Sequence, residues 1–173
     1  APLEATTSFK IPGSSLLNAT AGNNVLIGKT GNDTVTYASA TGPVTVSLNI
    51  TTAQNTVNSG MDQLIGIDNL IGSKFNDKLT GDSDDNVIQG GAGNDTLTGG
   101  TGNDRLNGGF GNDTAIQSGA SVDYTISVDG HTVVLTHKTT GEVDRLLDVE
   151  LVKFDSGDNL TIRYGEVFTA EYD

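Results

Sequence analysis

Aspartate, asparagine and glycine recur in this chain at a fixed spacing. From residue 63 to residue 116 the sequence divides into six consecutive nine-residue rows without a gap. The eighth position of every row is apolar, and a shorter run with the same pattern covers residues 19–36. The sixth positions are Asn24 and Asp33 in the short run, and Asp68, Asp77, Asn86, Asp95, Asp104 and Asp113 in the long one. Such a period indicates a solenoid, in which each repeat packs against its neighbours.

Each row has the composition of a turn followed by a short strand. The first six residues are rich in glycine and polar side chains, which favour turns. The last three alternate polar, apolar, polar, as in a strand with one buried face. Two rows would form one coil, so that turns on the same side of the stack are 18 residues apart. The coils would then build two parallel sheets with the eighth-position side chains between them.

This stacking places acidic side chains above one another. One column would contain Asp77, Asp95 and Asp113, and the other Asp68, Asn86 and Asp104. Adjacent strands lie ~4.8 Å apart, and carboxylates at that spacing repel each other unless a cation lies between them. Ca²⁺ suits the gap because it takes about 6–8 oxygen ligands at ~2.3–2.6 Å, carbonyls as well as carboxylates. The sequence therefore predicts calcium sites between successive turns.

Three consecutive rows carry a known motif. Residues 90–98, 99–107 and 108–116 (GGAGNDTLT, GGTGNDRLN and GGFGNDTAI) resemble the RTX (repeats-in-toxin) calcium-binding nonapeptide GGxGxDxUx, where U is a large aliphatic residue. The resemblance implies an all-β fold, a parallel β-roll that is an RTX solenoid. It also implies about three to five bound Ca²⁺ ions, held by carboxylates and turn carbonyls.

The predicted calcium ligands come from the sixth positions and from the glycine-rich turns. They are Asp33, Asp68, Asp77, Asn86, Asp95, Asp104 and Asp113, with Gly90, Gly91, Ala92, Gly93, Gly99, Gly100, Thr101, Gly102, Gly108, Gly109 and Gly111. The firmest predicted sites lie between positions 77 and 95, 95 and 113, and 86 and 104. The outer rows depart from the motif, so weaker or empty sites are expected there.

The roll is expected to occupy residues 19–116 and to be interrupted by an inserted hairpin over 37–62. Residues 44–48 alternate as a strand, and the insertion is predicted to pack beside the roll rather than extend it. Residues 1–18 are expected to form a linker or an irregular N-terminal strand. Because the chain starts at Ala1 and shows no signal-peptide pattern, it is expected to be part of a longer parent protein.

Residues 117–173 are predicted to form a β-rich C-terminal cap. Strands over 123–128 and 132–136 should be joined at Asp129–Gly130, a hairpin signal. Residues 143–154 are apolar enough for one or two buried strands, and 160–164 for a last short one. The series DYTI, DG and DxLxxVE resembles the cap segments that follow RTX repeats in secreted bacterial proteins.

Composition narrows the classes of partner and compartment. A net charge of −13, from 22 acidic and 9 basic residues, argues against nucleic acid and anionic membranes, which need a basic surface. No apolar run approaches the ~20 residues of a spanning helix, so no membrane insertion is expected. The absence of cysteine excludes disulfides, thiolate metal sites and cysteine nucleophiles.

The resemblance implies a secreted or cell-surface protein that leaves the cell by type I secretion machinery. The predicted role is non-catalytic: folding triggered by extracellular Ca²⁺, which would aid secretion, stability and presentation of a parent adhesin or exoenzyme. One alternative is an adhesin end-module that binds glycans or cell surfaces. Another is the accessory R-type module of a polysaccharide-modifying enzyme. Ice binding is disfavoured because the third turn positions vary, as Ala92, Thr101 and Phe110.

No catalytic constellation is evident from the sequence, although the parent protein could still be an enzyme. His131 and His137 share strand parity but would lie ~20 Å apart on an extended strand. The chain has no Asp-Pro bond, which disfavours the self-cleavage found in some RTX proteins.

Overall fold

The computed structural model of the chain describes residues 13–163. Within that range the chain forms short strands, β1 to β17, and one 3₁₀ turn at Ser121–Asp123. The strands are β1 Leu16–Asn18, β2 Val25–Ile27, β3 Thr34–Thr36, β4 Thr45–Ser47, β5 Gln54–Asn55, β6 Met61–Ile65, β7 Asn69–Ile71, β8 Lys78–Thr80, β9 Val87–Ala92, β10 Thr96–Thr98, β11 Arg105–Phe110, β12 Thr114–Gln117, β13 Tyr124–Asp129, β14 Thr132–His137, β15 Val143–Leu147, β16 Leu151–Phe154 and β17 Asn159–Thr161. No helix among these residues is long and apolar enough to cross a membrane.

Successive rows alternate between two sheets, as the period predicts. One sheet has the strand order β1-β3-β7-β9-β11-β15-β14-β13, and the sheet facing it has the order β17-β16-β12-β10-β8-β4. Strands two rows apart are parallel neighbours in register, so Leu97 lies between Leu79 and Ala115. This architecture confirms the predicted all-β parallel β-roll.

The core is a single layer of eighth-position side chains between the two sheets. Each of these side chains is at most 1% exposed: Leu70, Leu79, Ile88, Leu97, Leu106 and Ala115. The turns stack just as closely, since a Cβ added at Gly91 or Gly100 would collide with a backbone carbonyl of the preceding coil. Apolar burial is therefore thin, and the turns must contribute to holding the coils together.

The insertion joins the roll, which differs from the expectation that it would pack beside it. Strand β4 pairs in parallel with β8, and Val46 lies next to Leu79 in the core. Asp77 Oδ1 accepts a hydrogen bond from Val44 N–H at 2.8 Å, so the new strand is held at its start. The reason is that Val46 offers a core side chain to the otherwise open edge of β8.

The N-terminal rows are rearranged as a result. Strand β6 pairs with β2 and β5 in a third, small sheet. Strand β1 belongs to the roll, because Leu17 is buried and lies beside Val35 of β3. Residues 1–12, part of the predicted linker, lie outside the described residues.

The C-terminal segment contributes one more coil to the roll, formed by β15 and β16 after the β13–β14 hairpin. In β15, Leu146 lies beside Leu106, and in β16, Val152 lies beside Ala115. The turn between them, residues 148–150, is short, and Asp148 takes a φ of 48° there. The predicted hairpin is present as β13 and β14, and β17 pairs antiparallel with β16. Of the predicted strand 160–164, residue 164 lies outside the described residues.

Candidate metal centre

The sixth-position side chains stack in columns along the turns of the roll. Asp95 Oδ1 accepts a hydrogen bond from Asp77 N–H, and Asp113 Oδ1 accepts one from Asp95 N–H, both at 2.7 Å. On the other side Asp104 Oδ1 accepts from Asn86 N–H at 2.9 Å. Each bond joins residues 18 apart. The structure thus brings the predicted acids together with the predicted spacing.

Three of these carboxylates each have one oxygen that the protein leaves unsatisfied. Oδ2 of Asp95, Asp104 and Asp113 is buried and has no hydrogen-bond partner among the described residues. Each lies against the first glycine of its own turn, where an added Cβ would collide with it. A buried acceptor without a partner costs about 1–3 kcal/mol, and more when it is charged. These three oxygens are therefore available for a ligand from outside the described residues.

The pKa values of these three carboxyl groups reflect their burial. Burial, partly offset by the hydrogen bond with the backbone of Asp77, raises the pKa of Asp95 to about 7. Burial likewise raises the pKa of Asp104 to about 7, and it raises the pKa of Asp113 above its ordinary value. A carboxylate with a raised pKa lacks compensation for its charge, which a cation would supply.

The turns of other rows satisfy the same oxygen with their own backbone. Ser73 N–H donates to Asp77 Oδ2, and Lys29 N–H donates to Asp33 Oδ2, both at 2.5 Å. In each case the donor is the second residue of the row. Turn 81–86 has the same arrangement, since Asp82 N–H donates to Asn86 Oδ1. We call turns 28–33, 72–77 and 81–86 the closed turns.

Glycine at the second position of the row distinguishes the remaining turns. Gly91, Gly100 and Gly109 have φ values of 116°, 118° and 97°, in a region that side-chain-bearing residues avoid. In turns 90–95, 99–104 and 108–113 the oxygen next to this glycine is the unsatisfied one. We call these the open turns. Glycine at the second position of the row is thus found in the turns whose carboxylate oxygen has no partner among the described residues and could bind a metal.

The C-terminal coil continues both columns with acids that the repeat pattern did not identify. Asp144 Oδ1 accepts a hydrogen bond from Asp104 N–H at 3.0 Å, and Glu150 Oε2 accepts one from Asp113 N–H at 2.7 Å. A sequence signal exists for Asp144, since Leu146 follows it at the spacing seen in the rows. Glu150 is the last residue of the short turn 148–150, and its side chain, longer than that of aspartate, reaches the backbone of Asp113.

The N-terminal carboxylates are held by protein groups. Asp68 Oδ2 accepts a hydrogen bond from Asp33 N–H at 2.7 Å. Asp62, which the repeat analysis missed, is fully buried and accepts hydrogen bonds from Asn24 N–H and Thr56 Oγ1, both at 2.9 Å. These contacts give the acids a structural role in joining the N-terminal coils.

The asparagines at the fifth position form a second, outer ladder. Asn94 N–H donates to Asn76 Oδ1 at 2.8 Å, and Asn112 N–H donates to Asn94 Oδ1 at 3.0 Å. This ladder runs in the opposite sense to the aspartate ladder, because here the later coil donates. These asparagines therefore tie neighbouring turns together, and they leave Oδ2 of Asp95 and Asp113 without a partner among the described residues.

The donor set fits calcium. Within residues 13–163 no three His, Cys, Asp or Glu side chains gather as a metal-binding group. Any ion at an open turn would therefore be bound mainly by carboxylate and carbonyl oxygens. Ca²⁺ accepts that set, whereas zinc sites use histidine, thiolate or clustered carboxylates. The histidines lie elsewhere, with His131 Nδ1 at 3.5 Å from Asp148 and His137 packed edge-on against Tyr124.

Comparisons with known proteins agree with this geometry. The family described as RTX calcium-binding nonapeptide repeat (4 copies) matches residues 13–38, 63–97 and 80–115. Among solved structures, the fold is similar to that of the extracellular lipase LipA from Serratia marcescens, with a TM-score of 0.50 and 17% identity. The match covers 59% of this chain and only 19% of the lipase, and it concerns the fold alone. No protein of curated function matches the sequence.

Proposed function

Because this chain carries RTX calcium-binding nonapeptide repeats over residues 13–38 and 63–115, we propose that it is a non-catalytic module whose folding is triggered by extracellular Ca²⁺. The observation that carries this proposal is the set of buried, unsatisfied Oδ2 atoms of Asp95, Asp104 and Asp113. Asp95 and Asp113 would hold ions on one side of the roll together with carbonyls of turns 90–95 and 108–113. Asp104 would do so on the other side.

Without calcium, the chain has little to hold the open turns together. Its core is one layer thick, its net charge is −13, and its columns place buried carboxylates above one another. Bound Ca²⁺ supplies the positive charge and the extra ligand bonds that these oxygens lack. One site contributes RT ln(1 + [Ca²⁺]/Kd), or about 1.4 kcal/mol at ~10 Kd. A few such sites add up to a large part of a domain's usual stability of about 5–15 kcal/mol.

This dependence suits a protein that is exported before it folds. Cytosolic calcium lies far below the ~10⁻⁴–10⁻³ M range of weak extracellular modules, so the repeats would remain unfolded inside the cell. We infer passage through type I secretion machinery and folding outside, at the cell surface or in the medium. The likeness to a lipase that is extracellular supports this setting. The parent protein would be an adhesin or an exoenzyme, which the folded roll stabilises and presents.

Circular dichroism during a calcium titration tests the proposal. In EGTA the β signal should be weaker than in calcium because the open turns lose their order. It should recover cooperatively as Ca²⁺ is added, with Mg²⁺ at the same concentration as a control. The D95N/D104N/D113N variant should need a much higher calcium concentration to fold. A β spectrum that is unchanged by EGTA, or a titration that the triple variant does not alter, would refute the proposal.

A further inference from the structure

Two arginines lie side by side on the outer face of the larger sheet. Arg105 of β11 is the direct neighbour of Arg145 of β15 in the parallel register, and both side chains are exposed. Each follows an acid of the same column, Asp104 or Asp144, and the hydrogen bond from Asp104 N–H to Asp144 Oδ1 holds the two strands in that register. The arginine pair is thus positioned by the column that contains the open turn 99–104.

The charges of this pair are not compensated by the protein. Among the described residues, neither guanidinium makes a hydrogen bond or an ion pair; the ion pair recorded there joins His131 to Asp148. Like charges directly opposite each other on neighbouring strands destabilise a sheet. The arrangement is notable in a chain with 22 acidic and only 9 basic residues, since acidic partners are abundant. An anion from outside would remove the repulsion.

The surface around the pair is an open groove of about 300 Å³. It is lined by Val87, Gln89, Arg105, Leu106, Asn107, Thr132, Arg145 and Leu147. Amide and hydroxyl groups thus lie next to the two guanidinium groups, and aliphatic side chains form the walls.

We propose that this arginine groove binds an acidic polysaccharide through the carboxylates of its sugar units. The planar guanidinium group pairs with a carboxylate through two parallel hydrogen bonds. Sugar hydroxyls match the amides of Gln89 and Asn107 and the hydroxyl of Thr132, and the C–H faces of the rings match the aliphatic walls. Nucleic acid does not fit, because two arginines on a protein of charge −13 are far from a basic footprint.

The groove adds a ligand to the proposed calcium-triggered folding and can fail independently of it. Calorimetric titration of the full chain in saturating calcium should show binding of an oligogalacturonate. A neutral oligosaccharide of equal length should bind much more weakly. R105Q/R145Q should lower the affinity by about tenfold or more, since each lost charged hydrogen bond counts at this scale. R105K/R145K should recover only part of it, because lysine lacks the planar fork.

Lys78 provides a matched control. It is exposed at the same repeat position as Arg105 but on the opposite sheet, beside Thr45 and Thr96. K78Q changes the net charge as much as R105Q does, and it should alter the affinity by less than about twofold. All variants should show the native calcium-induced dichroism, since these side chains make no hydrogen bond or ion pair with the residues that the structure describes.

Three results would overturn the groove proposal. The first is a chain that folds in calcium but does not bind the oligogalacturonate. The second is equal binding by R105Q/R145Q or by the neutral oligosaccharide. The third is equal binding of a sulfated oligosaccharide, which would contradict selectivity for carboxylates. A failure of the folding proposal is distinct, because it would appear as a dichroism spectrum that does not respond to calcium.

Discussion

The open and closed turns contain similar residues but use them differently. In the closed turn 72–77, the N–H of Ser73 occupies the second oxygen of Asp77. In the open turn 90–95, Gly91 stands at the same position with a φ of 116°, and the second oxygen of Asp95 has no partner among the described residues. A single side chain at the second position of the row therefore accompanies the change from a self-satisfied turn to one that requires a cation. The comparison suggests that calcium dependence is concentrated in part of the roll.

Removal of calcium should separate the two kinds of turn most strongly. In EGTA, amide hydrogen exchange in β10, β11 and β12 should accelerate by about a hundredfold or more, because several sites at ~1.4 kcal/mol each are lost. Exchange in β3 and β6, which the hydrogen bonds of Asp33 and Asp62 support, should accelerate less. Mass spectrometry of peptides from both regions compares their exchange rates. Equal acceleration along the whole chain would contradict the difference between open and closed turns.

The D95N variant should have opposite effects with and without calcium. Asn keeps the Oδ1 acceptor for Asp77 N–H but lacks the charge, so in calcium the variant should lose about 1–2 kcal/mol of stability. In EGTA it should be more stable than the native chain, because a buried, uncompensated carboxylate is gone.

The D33N variant is the closed-turn control for this measurement. Both carboxylate oxygens of Asp33 accept backbone hydrogen bonds, from the N–H groups of Ser15 and Lys29. In D33N one of these oxygens is replaced by an NH₂ group, which cannot accept the hydrogen bond. The loss of stability, about 1–3 kcal/mol, should be the same in calcium and in EGTA. Thermal denaturation of D95N and D33N, each compared with the native chain in calcium and in EGTA, gives the four changes in stability. A loss for D95N that is independent of calcium would contradict the assignment.

The S73G variant should open a closed turn. Without the side chain, turn 72–77 can take the glycine conformation seen at Gly91, and Asp77 Oδ2 becomes available for one more calcium ion. The gain, about 1.4 kcal/mol at ~10 Kd, is opposed by the ~0.5–1 kcal/mol that the added glycine costs and by the loss of the hydrogen bond from Ser73 Oγ to Asp77 Oδ1. Calorimetry should count one additional site relative to S83G, a glycine substitution at an exposed position of turn 81–86. An unchanged number of sites would show that the second position does not control opening.

The pH dependence of stability should also distinguish the open turns from the closed ones. Burial raises the pKa of Asp95 and of Asp104 from 3.8 to about 7 in the folded chain, so the folded state holds more protons than the unfolded state between these values. The calcium-free fold is therefore favoured below pH ~3.8 and loses this contribution as the pH rises to about 7. Calcium affinity should rise over the same window as the protons leave. Denaturant titrations in EGTA at several pH values check the sign, and D95N/D104N should flatten the curve.

The period of the sequence was sufficient to predict the roll, its register and its core. Rows of nine residues with a glycine-rich turn and an apolar eighth position can stack in few ways. The burial of Leu97 between the side chains of the neighbouring coils could therefore be predicted. The insertion could not, because nothing in residues 44–48 reveals that the edge of β8 is available. Strand β4 occupies that edge, while β6 pairs with β2 in a different sheet.

The stacking of the acids was predictable from the sequence, but the difference between open and closed turns was not. The positions of Asp95, Asp104 and Asp113 follow from the period alone. The distinction between open and closed turns depends on the direction of one backbone N–H, which a row such as GSKFND does not show. Asp144 and Glu150 were missed because the short turn 148–150 breaks the period, although the two strands around it keep their places in the sheets.

The aspartate ladder gives the roll a direction. The carboxylate of each coil binds the backbone of the coil before it, and Asp144 and Glu150 do the same for the last two turns. A turn is therefore complete only when the turn after it is in place. The C-terminal coil therefore supplies the acceptors without which the N–H groups of Asp104 and Asp113 would lack these hydrogen bonds.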